Sequence, residues 1–328
     1  MKYSPAIIHE PPAAPESNRM AHPPDAEREP NGEPAVPPPR FAWLRLLRVH
    51  HWLKNLLLGV PYLTAQAWTH PGAARAEGLA FVAFSLVASA TYVLNDLADV
   101  AFDRAHAAKR HRPLAAGTIG TGAALAVAAL SGVAGLLLAW RVGATFLGVL
   151  VAYVVLTSLY TRHLKRVALL DVVALAGLWT LRLAAGAAAI EVDLSAWLLS
   201  FGAFLFMSLS LVKRVAELNA ATADALPGRG YRRRDLPILE GFGIATGVVS
   251  VLVLALFVDS TPAELHYPHH ERLWLMCPAI WYWLGRVWLI TGRGEMHHDP
   301  IVFSLRDRAS WVALAAVAAA WAAALVRI

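Results

Sequence analysis

Near the end of a long apolar stretch the chain reads Asn95-Asp96-Leu97-Ala98-Asp99-Val100-Ala101-Phe102-Asp103. On a helix of 3.6 residues per turn, Asn95, Asp96, Asp99 and Asp103 fall within roughly a 100° arc over about two turns. Three carboxylates and an amide on one face repel each other unless a cation sits among them. Carboxylate oxygens, completed by substrate phosphates, are the ligands Mg²⁺ prefers. A merely solvated helix end predicts scattered charges, and ionisable groups at the end of an apolar span are costly enough to mark function. Asn95, Asp96, Asp99 and Asp103 are therefore the expected metal ligands and catalytic set.

The loop that follows carries Arg104, His106, Lys109, Arg110, His111 and Arg112, then Pro113-Leu114-Ala115-Ala116-Gly117. Cations just downstream of carboxylates neutralise a diphosphate from one side while Mg²⁺ neutralises it from the other. Arginine suits bidentate phosphate contacts and lysine acts as a point charge. Any one of these residues is also explained as a topology signal. As a set, Lys109, Arg110 and Arg112 point to phosphate.

The elements that must position these groups are membrane spans. Of 328 residues, 57% are hydrophobic and only 16% charged, far below the quarter typical of soluble domains. Runs of about 20 apolar residues recur, enough for a bilayer-crossing helix. Nine spans are expected, at 52–69, 78–98, 121–140, 143–161, 171–190, 194–213, 238–258, 273–291 and 309–327. The fold class is thus all-α, a polytopic helical bundle. Residues 1–40 hold many prolines between polar residues and are expected to be a disordered tail ahead of a single transmembrane domain, 41–328. The single Cys277 excludes an intramolecular disulfide and a cysteine-based zinc site. The net charge of +6 does not indicate nucleic acid, because basic residues in such a chain serve topology and lipid headgroups.

Lysine and arginine alternate in abundance between successive connections. Those after spans 2, 4, 6 and 8 are basic, whereas the others hold only Arg75, Arg141 and Arg272. This bias places the N-terminus and every charged cluster on the cytoplasmic side. One such cluster is Gly292-Arg293-Gly294-Glu295-Met296-His297-His298-Asp299-Pro300, read as a cap over the site, since adjacent loop histidines rarely face one point.

Asn-Asp-x-x-Asp-x-x-x-Asp followed by Lys109-Arg110-x-Arg112-Pro113-Leu114-Ala115-Ala116-Gly117 resembles the first signature of the UbiA superfamily of intramembrane prenyltransferases. The resemblance covers residues 41–328. It implies a UbiA-like bundle around a central cavity, Mg²⁺ bridging Asp-rich motifs and a diphosphate, and an opening to lipid for an isoprenoid chain. Aromatic-ring prenyltransferases of the superfamily carry a second Asp-rich motif after span 6. Here that connection begins Lys213-Arg214-Val215-Ala216-Glu217-Leu218-Asn219, with Asp224 further on. That departure is similar to the decaprenyl-phosphate phosphoribosyltransferase branch. So are Arg48-x-His50-x-Trp52-x-Lys54-Asn55, Tyr160-Thr161-Arg162-His163-Leu164-Lys165, Asp171 and Leu181-Arg182-Leu183-Ala184-Ala185-Gly186. Enzymes of that branch move 5-phosphoribose from phosphoribosyl pyrophosphate to a polyprenyl phosphate.

A phosphoribosyl donor and a phosphorylated acceptor together need more cations and fewer carboxylates than a prenyl diphosphate and a neutral ring. Lys54, Lys165, Arg182, Lys213, Arg214 and Glu217 shift the balance that way and, with Asn55 and Tyr160, complete the expected substrate contacts. Arg182 lies in an otherwise uncharged span, where it either meets phosphate or pairs with Asp171. The expected activity is Mg²⁺-dependent transfer of 5-phosphoribose to a polyprenyl phosphate at the cytoplasmic face of a bacterial inner membrane. The closest rival is prenyl transfer to an aromatic acceptor of the 4-hydroxybenzoate type, with Glu217 and Asp224 replacing the missing aspartates. A cation-coupled transporter is the rival from another class, and one-sided polar clusters argue against it.

Overall fold

Alanine, leucine and valine fill the apolar runs, and with few prolines inside them those runs wind as helices. The computed structural model describes residues 39–105, 109–221, 223–226, 228–296 and 299–326. The proline-rich tail up to residue 38, His106 and the His297-His298 pair lie outside the described residues. In chain order come α1 (Pro39–Leu46), a 3₁₀ segment (Val49–Leu58), α2 (Gly59–Thr64), α3 (Ala73–Ala98) and α4 (Val100–Ala105). Next are α5 (Thr121–Val142), α6 (Ala144–Arg162), α7 (Leu170–Ala189) and α8 (Ala196–Ala220). The last are α9 (Leu236–Val258), α10 (Thr261–His266), α11 (Met276–Gly292), α12 (Pro300–Arg306) and α13 (Arg308–Leu325). Among the described residues no strand forms.

Eight of these helices are long and apolar enough to cross a membrane: α3, α5, α6, α7, α8, α9, α11 and α13. Leu130, Leu137, Trp140, Trp281 and Val312 point outward, exposed. Such faces are stable in lipid, where neighbouring acyl chains are as apolar as the side chains. The interior is built where α3, α5, α6 and α7 enclose Phe84, Leu150 and Tyr153. A second core gathers Leu211, Val215, Tyr231 and Val287 from α8, the α8–α9 connection and α11. Trp288 packs there against Gly243, with its indole N–H on Ser208 Oγ at 3.0 Å.

The first expected span, 52–69, is not one continuous helix. Gly59 and Pro61 mark the change from 3₁₀ to α winding, and Pro61 brings no backbone donor. A ten-residue 3₁₀ run is long, and side-chain anchors hold it. Trp52 Nε1 donates to Ser89 Oγ and Asn55 Nδ2 to Ser85 Oγ, both at 3.0 Å, on α3. At three residues per turn, Trp52, Asn55 and Leu58 form one row and His51 and Lys54 the next, while Arg48 precedes the segment in a left-handed backbone conformation (φ 50°). Leu58 meets α7 where a side chain at Gly186 would collide with its carbonyl oxygen, so glycine is required there. The 3₁₀ segment is thereby held against α3 and α7.

The opposite end is closed by Tyr267 OH on Thr64 O, Gln66 Nε2 on His266 O and Arg272 Nη1 on Ala323 O. An apolar cavity of about 320 Å³ opens beside it, lined among others by Val60, Trp197, Phe201, Phe257 and Trp321.

Candidate active site

The carboxylate series does not lie on an unbroken helix. α3 ends at Ala98, Asp99 sits at the junction and α4 resumes at Val100. Asp96 and Asp103 turn inward and are 6% and 2% exposed, whereas Asp99 is exposed and has no ion pair among the described residues. Arg112 Nη1 joins the two inner carboxylates, donating to Asp103 Oδ2 at 2.7 Å and Asp96 Oδ1 at 3.1 Å. Arg48 Nη2 donates to the same Asp96 oxygen at 2.6 Å. Asn95, half-buried, turns to Thr161 Oγ1 at 3.5 Å.

Of the other loop cations, Lys109 lies 5.4 Å over the Phe102 ring and Arg110 is exposed beside His111. Among the described residues, Lys165 has no hydrogen bond or ion pair through its side chain.

Within the 3₁₀ segment, Lys54 enters a second cluster. Its Nζ lies 2.8 Å from Asp299 Oδ2, and Lys213 Nζ of α8 lies 3.8 Å from the same oxygen. Lys54 also sits 5.0 Å over the Trp179 ring, whose far neighbour is Arg182 at 5.6 Å. Arg182 is 5% exposed and does not pair with Asp171. It donates to Asn55 Oδ1 at 3.0 Å, Leu178 O at 2.6 Å and Tyr153 OH at 3.2 Å, with Phe84 and Tyr153 rings about its guanidinium. An aromatic and amide cage thus accommodates the charge in place of a carboxylate.

The partner of Asp171 is Arg214, 2.6 Å away, and both side chains are fully enclosed. Arg214 also binds Glu217 and donates to Tyr160 OH at 3.2 Å. Tyr231 donates to Asp171, and Arg229 reaches Tyr160 OH, Glu217 and Asp171 at 3.1, 3.4 and 3.5 Å. Arg214, Tyr160 and Glu217, expected as direct substrate contacts, are therefore members of a network, with Arg214 at its sealed centre. Asp224 is exposed and outside it.

Sequence reasoning did not select Arg48, Tyr153, Trp179, Arg229, Tyr231 or Asp299 as site residues. Arg48 lies ahead of the 3₁₀ segment in a left-handed backbone conformation, which no spacing in the sequence signals. Asp299 followed by Pro300 signals a helix start, and it does cap α12, its Oδ1 accepting from Ile301 N at 3.1 Å.

Whether the carboxylates fit a metal ion turns on their free oxygens. Among the described residues, no three acidic, histidine or cysteine side chains gather into a metal-binding group. Mg²⁺ does not need one, since it binds through one or two carboxylates plus substrate phosphates. Asp103 Oδ1 is buried with no hydrogen-bond partner among the described residues, and Asp99 is uncommitted. Those oxygens fit a divalent cation that phosphate completes.

The fold is that of a solved UbiA homologue from Archaeoglobus fulgidus bound to GPP and Mg²⁺, with TM-score 0.61 and 17% identity over 86% of this chain and 99% of that one. A solved digeranylgeranylglyceryl phosphate synthase superimposes with TM-score 0.64 and 15% identity, over 88% and 99% of the two chains. In sequence, the chain is 38% identical over 287 residues to the uncharacterized protein y4nM of Sinorhizobium fredii, covering 86% of this chain and 56% of that one. The chain therefore spans little more than half the length of that relative. Nodulation protein NoeC of Azorhizobium caulinodans is 34% identical over 307 residues, 88% of this chain and 94% of that one. Decaprenyl-phosphate phosphoribosyltransferase of Mycolicibacterium smegmatis is 34% identical over 196 residues, 58% and 62% of the two chains. Residues 57–312 match the model of the UbiA prenyltransferase family, and the chain belongs to that family as an integral multi-pass membrane protein.

Proposed function

We propose that this chain transfers 5-phosphoribose from phosphoribosyl pyrophosphate to a polyprenyl phosphate, releasing pyrophosphate. The observation that carries this reading is the Lys54, Lys213 and Asp299 cluster, two cations on one carboxylate in the half of the site where a second Asp pair is missing. The likeness to the mycobacterial phosphoribosyltransferase supports it.

The donor's diphosphate lies against the Asp96 end, gripped by Lys109, Arg110 and Arg112. Asp96, Asp99 and Asp103, with Asn95, are the residues that would hold Mg²⁺, which when bound neutralises the diphosphate and stabilises its departure. Arg48 and Arg112 fix the Asp96 carboxylate, so its orientation does not depend on substrate. An oxygen of the acceptor phosphate attacks the anomeric carbon while its bond to pyrophosphate breaks, and the electron pair leaves with pyrophosphate. The acceptor is already an anion, so no general base is required. Lys54, Lys213 and Lys165 hold it, and the enclosed helix bundle keeps water from the cationic carbon. The apolar cavity at the far end accommodates isoprenoid units. By the positive-inside rule this end faces the cytoplasm of a bacterial inner membrane.

The test is two parallel reactions with purified protein, Mg²⁺ and an Asp96→Ala control. One holds labelled phosphoribosyl pyrophosphate and a polyprenyl phosphate, the other a prenyl diphosphate and 4-hydroxybenzoate. Label entering lipid in the first alone, and lost with EDTA, is the expected result. Product in the second alone would replace this reading by aromatic prenyl transfer. Silence in both from folded protein would favour cation transport.

A further inference from the structure

Two lysines distant in sequence converge on a single carboxylate oxygen, Asp299 Oδ2. The other oxygen, Oδ1, is engaged at Ile301 N. One negative charge thus faces two positive ones. Burial alone would raise the Asp299 carboxyl, and Lys54 and Lys213 more than offset this and hold it below its ordinary value. A third cation, Arg182, shares the Trp179 ring with Lys54 and has no ion pair among the described residues. Positive charge is in excess here.

The cluster is also reachable. The side chains of Lys54, Lys213 and Asp299 are 15%, 36% and 19% exposed, against 0% for both Arg214 and Asp171. An incoming anion meets these lysines without opening the core. Asp299 offers them one oxygen. A phosphate monoester offers three, with a charge of about −1.5 to −2 at neutral pH. It matches both ammoniums where the carboxylate matches one.

We propose that Asp299 is a displaceable internal anion, holding Lys54 and Lys213 ready in the free enzyme and yielding them to the phosphate of the acceptor lipid. This rests on the phosphoribosyl-transfer reading and adds a residue that sets acceptor affinity. The exchange is non-covalent, and Asp299 keeps its bond to Ile301 N, so α12 stays capped. Because the carboxylate competes with the acceptor, it weakens binding. An uncharged polyprenol has no anion to exchange with it and gains nothing from the freed lysines.

The experiment is Asp299→Asn in the full chain, since asparagine preserves a helix cap while removing the charge. Asp299→Ser does the same with a smaller side chain and serves if the first variant does not fold. Binding of a radiolabelled polyprenyl phosphate and of the matching polyprenol is measured in detergent, alongside KM for both substrates. The expected result is about fivefold to tenfold tighter binding of the polyprenyl phosphate, an unchanged KM for phosphoribosyl pyrophosphate and no gain for the polyprenol. Equal or weaker polyprenyl phosphate binding than in the wild type would overturn the proposal and make Asp299 a residue that merely positions the lysines. A wild type that binds no polyprenyl phosphate would instead sink the phosphoribosyl-transfer reading, and this inference with it.

Discussion

At the same end of the bundle stand two kinds of ion-pair assembly. Around Asp171, two carboxylates (Asp171 and Glu217) meet two guanidiniums (Arg214 and Arg229), and two tyrosines take up remaining hydrogen bonds. The charges balance and the centre is sealed. Around Asp96, the two inner carboxylates (Asp96 and Asp103) meet Arg48 and Arg112, exposed Asp99 adds a negative charge with no ion pair among the described residues, and Asp103 Oδ1 has no hydrogen-bond partner among them. Around Asp299, the imbalance has the opposite sign. A network that needs nothing from outside is built for structure. The other two carry excess charge of opposite sign, which is what the proposed binding of a cation with diphosphate at Asp96 and of an anion at Lys54 and Lys213 requires.

The comparison breaks most visibly at its sealed member. Removing one partner of a buried pair strands the other charge and costs about 3–5 kcal/mol. Asp171→Ala is therefore expected to lower the melting temperature steeply and reduce folded yield. A small change in melting would mean that Arg214 is not held as the structure shows. At the Asp96 cluster the effect moves from stability to rate. Asp96→Asn should cost ~10²–10³-fold in kcat/KM while melting stays within a few degrees, because Arg48 and Arg112 remain partly solvated. Parallel losses of melting and rate would erase the distinction. Lys54→Met is the next smaller step, with KM for the acceptor raised about tenfold, or ~1.4 kcal/mol, and KM for the donor unchanged. A donor-selective effect would assign Lys54 to the other substrate.

How far the sequence foretold this depends on what kind of contact each residue makes. The apolar runs were legible because hydropathy carries them, and local spacing brought Asp96 and Asp103 to one side, but not Asp99, which the break after Ala98 leaves exposed. The family resemblance read from the same residues is met by the fold. The 3₁₀ winding of 49–58 was not legible, since it is held by Ser85 and Ser89, thirty or more positions away. Nor was the choice of Arg214 over Arg182 as partner for Asp171. Both arginines are buried, and only the helix packing decides which reaches a carboxylate and which is caged by Phe84, Tyr153 and Trp179. Asp299 lay in the segment read as a cap over the site and was not singled out, since its partner Lys54 is 245 positions away. Among the described residues the nine expected spans become eight helices long and apolar enough to cross and one broken segment, whose 3₁₀ part carries Lys54.

The smallest expected effect comes from a pair that belongs to neither assembly. Arg286 donates to Asp307 at 2.9 and 3.3 Å, and Asp307 caps α13 through Ser310 N and Oγ at 2.8 and 2.9 Å. The Arg286 bond foremost, opposed by some burial and aided by Ser310, holds the Asp307 carboxyl down to about 2, from 3.8. A carboxyl depressed by folding stabilises the native state above its unfolded value and loses that contribution as pH falls through its folded value. Melting should thus be insensitive to Asp307 between about pH 5 and 8, with its share of stability fading only between about pH 4 and 2. Arg286 is 37% exposed, so water and salt screen the pair and its effect stays small. Asp307→Asn is expected to flatten part of the acid slope of the melting temperature while leaving both substrate KM values untouched. A change in either KM at neutral pH would bring this pair into the catalytic end and blur the line between balanced and unbalanced charge on which the comparison rests.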